Sequence, residues 1–348
     1  MAKINPSVTL TARNYMINDI EIADNELLCN IKRFDNYSIL QQNSFILDQN
    51  VEYDLTAPIS QTLQTMYDIA NIKNRITITQ DTSSPIIINA KFDTKNKALI
   101  DVLNITAQQN TKSQIVIKYE GSTKAYHSGV IKIFAQKNSI VDVIIYSNFA
   151  GNNFMNIEDK KEQNATINYH LIDFCSAITI HNLYSNTIGQ NTKTTLNTIY
   201  IGEKNAIIDL NYFANLKDAK SSAVFNTIGA LTHNAKKHYK GTINFVKGAK
   251  QSTGDENEYC MLLSPNAKTK ALPMLLCGEE DVNGSHSSSA GKVDESALFY
   301  LLSRGIPKAE ASKMLIRAQF SKSIEKIFDT NIKNLINKNI ERRIDGEN

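Results

Sequence analysis

The period of the hydrophobic positions changes along the chain. Between about 75 and 284, short runs carry Ile, Val, Thr and Tyr at alternate places. They read RITITQ from Arg75, PIIINA from Pro85, SQIVIKY from Ser113, GVIKIFA from Gly129, SIVDVIIYS from Ser139, ATINYHLI from Ala165, AITIHNLYS from Ala177, TLNTIYIG from Thr195, AIIDLNYFA from Ala206 and GTINFV from Gly241. A period of two is the strand signal. The connectors are rich in Asn, Gly, Ser, Asp and Lys, which make turns and solvate loops. No long amphipathic helix interrupts the series, which argues against a doubly wound sheet and leaves a sandwich, a barrel or a β-helix. Tight Asn-Gly or Asp-Gly hairpin turns are few, and the series is long for one sandwich. Stacked coils fit better: each coil buries one face on its neighbours, and Asn-rich corners satisfy their own backbone groups. No strict repeat aligns by eye.

Residues 1–74 mix alternating stretches such as DIEIADNELLCNI with a candidate helix after Pro58, and read as an N-terminal segment. From Asp294 the period becomes helical. Asp294 is the expected N-cap, Leu298, Leu301 and Leu302 share one face, and Gly305 stands where a left-handed residue stops a helix with Ile306 folding back. Pro307 opens the next helix, whose stripe is Ala311, Met314, Leu315 and Ala318. A further stripe, Ile324, Phe328, Ile332, Ile336 and Ile340, recurs every four residues. The expected division is 1–74 N-terminal segment, 75–291 β core and 292–348 helical domain, with two or three helices in the last.

Composition narrows the chemistry. The 348 residues carry a formal net charge of +3, which gives no reason to expect a nucleic-acid partner. No run approaches a membrane span, and the N-terminus lacks the apolar core of a signal peptide. Cys29, Cys175, Cys260 and Cys277 are far apart, without a CxxC pair, so a reducing cytoplasm and buried thiols are expected. There is no G-x-S-x-G elbow, no H-E-x-x-H and no Walker-type loop, and hence no sign of an enzyme or of autonomous ATP hydrolysis. His170 and His181 fall inside predicted strands, and His233 and His238 in a basic loop. His286 differs: it stands in a Ser/Gly-rich stretch at the junction of strands and helices, the one histidine singled out as a candidate metal ligand. Lys322, Lys326, Lys333, Lys338, Arg342 and Arg343 are interleaved with acids and read as a solvated helix face.

The run KGTINFV…MLLS…KALPMLL…SHSSSAGKVDE…LFYLLSRGI, from Lys240 to Ile306, resembles the C-terminal part of the SufB/SufD family, scaffold subunits of the SUF iron–sulfur cluster assembly machinery. The resemblance covers the last quarter of the chain closely and the strand body in style. It implies a right-handed parallel β-helix followed by a small helical domain. It also implies subunits that pair through the ends of their β-helices, and an ABC-type ATPase, SufC, docked on the helices at Phe299, Tyr300, Arg304 and Gly305. SufB-type members carry a cysteine before the x-M-L-x element and read H-E-A-T at the junction. Here Glu258 holds the cysteine's place, Cys260 follows two residues later, and Ser287 holds the glutamate's place. The SufD pattern, C-S-H-G, keeps a histidine that matches His286, although its cysteine is Gly284 here. The resemblance therefore implies a non-catalytic SufD-like scaffold pairing with a SufB-like paralogue. His286, Cys260 and Glu258 would lie at the assembly interface, with no cofactor in the isolated chain and a transient iron–sulfur cluster between subunits. A two-residue strand slip would let Cys260 substitute for the cysteine. The alternatives are a SufB-like homodimer that itself holds the cluster, and an unrelated β-helix carbohydrate-active or adhesive protein.

Overall fold

In the computed structural model, residues 2–4, 20–22, 33–40, 43–49 and 70–345 are described. The candidate helix after Pro58 and Cys29 lie outside the described residues. The strands wind as a β-solenoid of about 8 turns, followed by three helices, as the stacked-coil reading expects.

Two parallel sheets face each other. The first stacks β6 (Ile86–Phe92), the first halves of β8 (Lys112–Ala135) and β9 (Ile140–Lys161), then β10 (Thr166–Asp173), β12 (Lys193–Gly202), β14 (Ser222–Leu231), β16 (Ser252–Leu262) and β18 (Val282–Gly291). The second stacks β5 (Ile72–Ile78), β7 (Ala98–Ala107), the second halves of β8 and β9, β11 (Ile178–Thr187), β13 (Ile207–Leu216), β15 (Lys236–Phe245) and β17 (Lys268–Cys277). At the N-terminal end, β3 (Tyr37–Ile39) and β4 (Phe45–Gln49) add antiparallel to β6 and β5. A separate antiparallel pair joins β1 (Ala2–Ile4) to β2 (Ile20–Ile22).

Alternation supplies the interior. In β10, Ile167, Tyr169 and Leu171 point inward and are fully buried, and β13 contributes Ile208, Leu210 and Tyr212 in the same way. Burying each such side chain favours folding by roughly 1.5–3 kcal/mol. One corner is built from asparagine. Asn110, Asn138, Asn164 and Asn191 take φ values of 64°, 59°, 62° and 58°, in the left-handed region. Their side chains form a ladder, each amide donating to the carbonyl of the previous coil: Asn138 to Asn110 at 2.8 Å, Asn164 to Asn138 at 2.8 Å, Asn191 to Asn164 at 2.9 Å. The coil period drifts, which is why no strict repeat aligns by eye. Equivalent side chains bond across 26 residues at Asn164–Asn138, 29 at Asn226–Asn197 and 30 at Ser287–Asn257.

Helix α1 (Glu295–Ser303) is capped as expected. Asp294 accepts from the backbone N–H of Ser296 and Ala297 at 2.8 and 3.0 Å. Gly305 has φ 84° and donates to the Leu302 carbonyl, while Ile306 donates to that of Leu301, the paired bonds of a Schellman stop. Helix α2 (Lys308–Glu325) begins after Pro307, which is its N-cap rather than its first residue. Its buried face is Ala311, Ile316, Phe320 and Ile324, which keeps only Ala311 of the expected stripe; Leu315 is half-buried, Ala318 is exposed and Met314 is 41% exposed. The four-residue stripe is split between two helices at a break after Glu325. Its Ile332, Ile336 and Ile340 belong to α3 (Thr330–Asp345). Helices α2 and α3 pack on the outer face of the first sheet, against Ile144, Tyr146, Ile172, Ile199 and Ile201. No described helix is long and apolar enough to cross a membrane.

Candidate functional site

The site of interest is the C-terminal end of the solenoid, where the stack stops. Residues in register on neighbouring parallel strands point to the same side. Glu256, Glu258 and Cys260 of β16 align with His286, Ser288 and Ala290 of β18, and all face inward. One coil makes the difference in environment. Glu256, Glu258 and Cys260 are buried, whereas every residue of β18 between its ends is exposed, because no further coil covers it. The same cause exposes Cys277, on β17, against the expectation of buried thiols; Cys175 and Cys260 are buried.

Beneath His286 lies a polar cluster. Lys237 of β15 pairs with Glu258 Oε1, both fully enclosed, and the Ser288 hydroxyl donates to Glu258 Oε2 at 2.6 Å. The Lys237 ammonium also lies 5.2 Å from the ring centre of Tyr239. Glu256 crosses the interior to Gly241, where a Cβ would overlap both its carboxyl and the Tyr239 hydroxyl. Burial pushes the Glu256 carboxyl up to about 8; the nearby Tyr239 hydroxyl offsets part of this and the Glu258 charge adds to it. Neither Glu256 oxygen has a partner in hydrogen-bond geometry. Burial likewise raises the Cys260 thiol, with Lys237 opposing. Among the described residues no group of three or more His, Cys, Asp or Glu side chains is arranged to hold a metal ion.

The other histidines have other roles. His127 and His181 lie in the interior, in a chain that runs Asp101, His127, Asn153, Asp173 and His181. His127 bonds Asp101 at 2.9 Å and Asn153 at 2.7 Å, Asn153 donates to Asp173 at 2.6 Å, and His181 lies 3.2 Å from Asp173. His170 is buried beneath the helices, its imidazole lowered to about 4 by burial and then by Lys326. His238 lies inside β15, not in a loop, and only His233 sits at a corner.

Helix α1 buries no residue, and Phe299 and Tyr300 are 73% and 56% exposed, with Arg304 over the Tyr300 ring at 5.2 Å. Gly305 closes the same helix. The four residues expected to dock an ATPase thus lie on, or directly after, one exposed helix.

The fold is thus a parallel β-solenoid with an uncovered final coil and a helical tail folded onto its flank. The chain matches the family described as "SUF system FeS cluster assembly, SufBD core domain" over residues 90–319 and belongs to that family. It is 33% identical over 129 residues to the iron–sulfur cluster assembly protein SufD of Bacillus subtilis (37% of this chain, 26% of the relative). It is 26% identical over 200 residues to SufD of Escherichia coli (57% and 46%), and 24% identical over 198 residues to a SufBD family protein of Staphylococcus epidermidis (56% and 42%). Within the family it is most like SufD. The chain spans less than half the length of these relatives.

Proposed function

We propose that the chain is a non-catalytic SufD-like scaffold subunit that pairs through its last coil with a SufB-like partner and receives a SufC-type ATPase on its C-terminal helices. The observation that carries this reading is the last coil itself. Strand β18 is an unpaired edge, which a second chain can extend or cover, and it carries an exposed imidazole. The neutral imidazole is a good ligand for the iron of a cluster under assembly. Glu258 and Cys260 are engaged one coil deeper, the glutamate by Lys237 and Ser288, so this chain offers His286 and the partner supplies the remaining ligands. The cluster is cargo in this reading, not a resident cofactor. The exposed Phe299 and Tyr300, with Arg304 and Gly305, form the surface offered to the ATPase.

Two measurements test it. His286→Ala leaves the three-component complex intact by gel filtration and impairs cluster formation; normal cluster yield removes the role of His286. Anaerobic reconstitution of the lone chain with iron and sulfide leaves it colourless. A stable iron–sulfur chromophore, lost in Cys260→Ser, instead supports the homodimeric scaffold.

A further inference from the structure

Away from the last coil, a polar cavity lies at the corner where the first sheet passes into the second. It has a volume of about 340 Å³ and is walled by four stacked corners and the last turn of α3. Strand β8 turns this corner irregularly. Its register to β9 jumps between Glu120 and Lys124, so Gly121, Ser122 and Thr123 bulge beside Phe149. The corner after β10 adds Ser176, that after β12 adds Glu203 and Lys204, and α3 adds Arg342 and Arg343.

The charges do not balance. Arg343 is spent on structure: it pairs with Glu203, donates to the Phe174 carbonyl at 2.6 Å and to Asn148 at 3.2 Å, and lies over the Phe174 ring. That pair cancels the one carboxylate in the wall. Lys204 and Arg342 remain, with no acidic partner among the described residues. Arg342 donates only to Asn339 Oδ1, at 3.3 Å. Lys204 is held at the corner by a left-handed φ of 56°, so its backbone position is fixed. The Ser122 and Ser176 hydroxyls make no hydrogen bond to another described residue. Buried Arg343 Nε likewise has no partner. The cavity thus gathers two cations without an acidic partner and two hydroxyls. The partial negative charge at the C-terminus of α3 opposes an anion, but the two full charges outweigh it.

We propose that this cavity is a binding site for a phosphate-type oxyanion. Hydroxyls with Lys and Arg are the donor set that phosphate oxygens accept from. A dianion matches the two unpaired positive charges, and the volume admits a phosphoryl group with a small substituent. The ligand bridges Arg342 on the helix to Lys204, Ser122 and Ser176 on the solenoid, and so fastens the last turn of α3 to the flank. The site is independent of the assembly role proposed above.

The test is calorimetric titration of the full chain with inorganic phosphate at constant ionic strength, with glycerol 3-phosphate as a second arm. Wild type gives saturable binding, and phosphate slows amide exchange in α3. Lys204→Ala and Arg342→Ala each weaken binding by about tenfold or more, and the double variant abolishes it. Ser176→Ala, which removes one hydroxyl and no charge, weakens it less, while Lys217→Ala, at another corner, leaves it unchanged. Binding of both ligands shows that the phosphoryl group alone is read; binding of inorganic phosphate only assigns the site to the free anion. Absence of saturable binding to wild type, or equal binding to the double variant, overturns the proposal.

Discussion

Glu256 shows how one side chain couples the interior to the solvent. Its carboxyl sits at about 8 in the folded chain against an ordinary 4.5, so folding takes up a proton between those values. A carboxyl raised by folding favours the native state at low pH, and that contribution is lost as pH rises through the folded value. Stability should therefore fall from about pH 4.5 to about pH 8, by on the order of 5 kcal/mol if no other group compensates. Glu256→Gln keeps the shape and removes the charge. Urea midpoints measured across this range should slope downward in wild type and stay flatter in the variant; parallel slopes would show that Glu256 is not the titrating group. Asn153 is a second such residue. Its amide donates to Asp173 and its carbonyl faces His127 Nδ1. Asn153→Leu leaves buried polar groups without partners and should cost about 3 kcal/mol in a denaturation curve.

At the scale of elements, the corner ladder and the helix-to-sheet contact carry the predictions. Asn164 sits mid-ladder, giving a hydrogen bond to one coil and accepting one from the next. Asn164→Ala loses both and strains a left-handed position, for about 2–3 kcal/mol in total, whereas Asn164→Gly keeps the backbone and should cost roughly half. Equal losses in the two variants would assign the whole effect to the side chain. His170 is the hinge of the second contact. Its folded value near 4 lies below the ordinary 6.5, so the unfolded chain binds the proton more readily. Docking of α2 and α3 is complete above about pH 6.5 and weakens as pH falls toward 4, with Lys326 adding repulsion. Amide exchange in α2 should rise over that window, and His170→Gln should remove the rise. These elements were unequally legible in the sequence. The helix stops at Asp294 and Gly305 are local chemistry and read directly. The first half of β7 carries no alternation because residues 99–103 are buried on both faces, with Asp101 enclosed in the run. β16 carries polar residues inward, Ser252, Glu256 and Glu258, which inverts the hydrophobic signal. The inward face of β18 is Gly284, His286, Ser288 and Ala290, so its strand character depends on pairing to β16 and not on its own residues. For the same reason His286 could be singled out from sequence, while Lys237 and Gly241, which build the cluster below it, could not: they come from another strand.

For the whole molecule, stability is a sum over coils and their interfaces, so protection should be graded along the axis. Backbone amides of β17 and β18 should exchange fastest among the strands and gain protection when a partner covers them, while β9 to β13 stay slow in both states. Uniform protection along the axis would contradict a one-dimensional stack. The two ends of that stack are not equivalent. Among the described residues the first coil is finished by the short antiparallel strands β3 and β4, and the last coil ends in ten residues of open strand. A rod with two sticky ends polymerises; a rod with one can only dimerise. Among the described residues the open edge lies at the β18 end, so in the assembly proposed above that end takes one partner. Mixing the chain with a SufB-like partner should give particles holding one copy of each by light scattering, and never a filament.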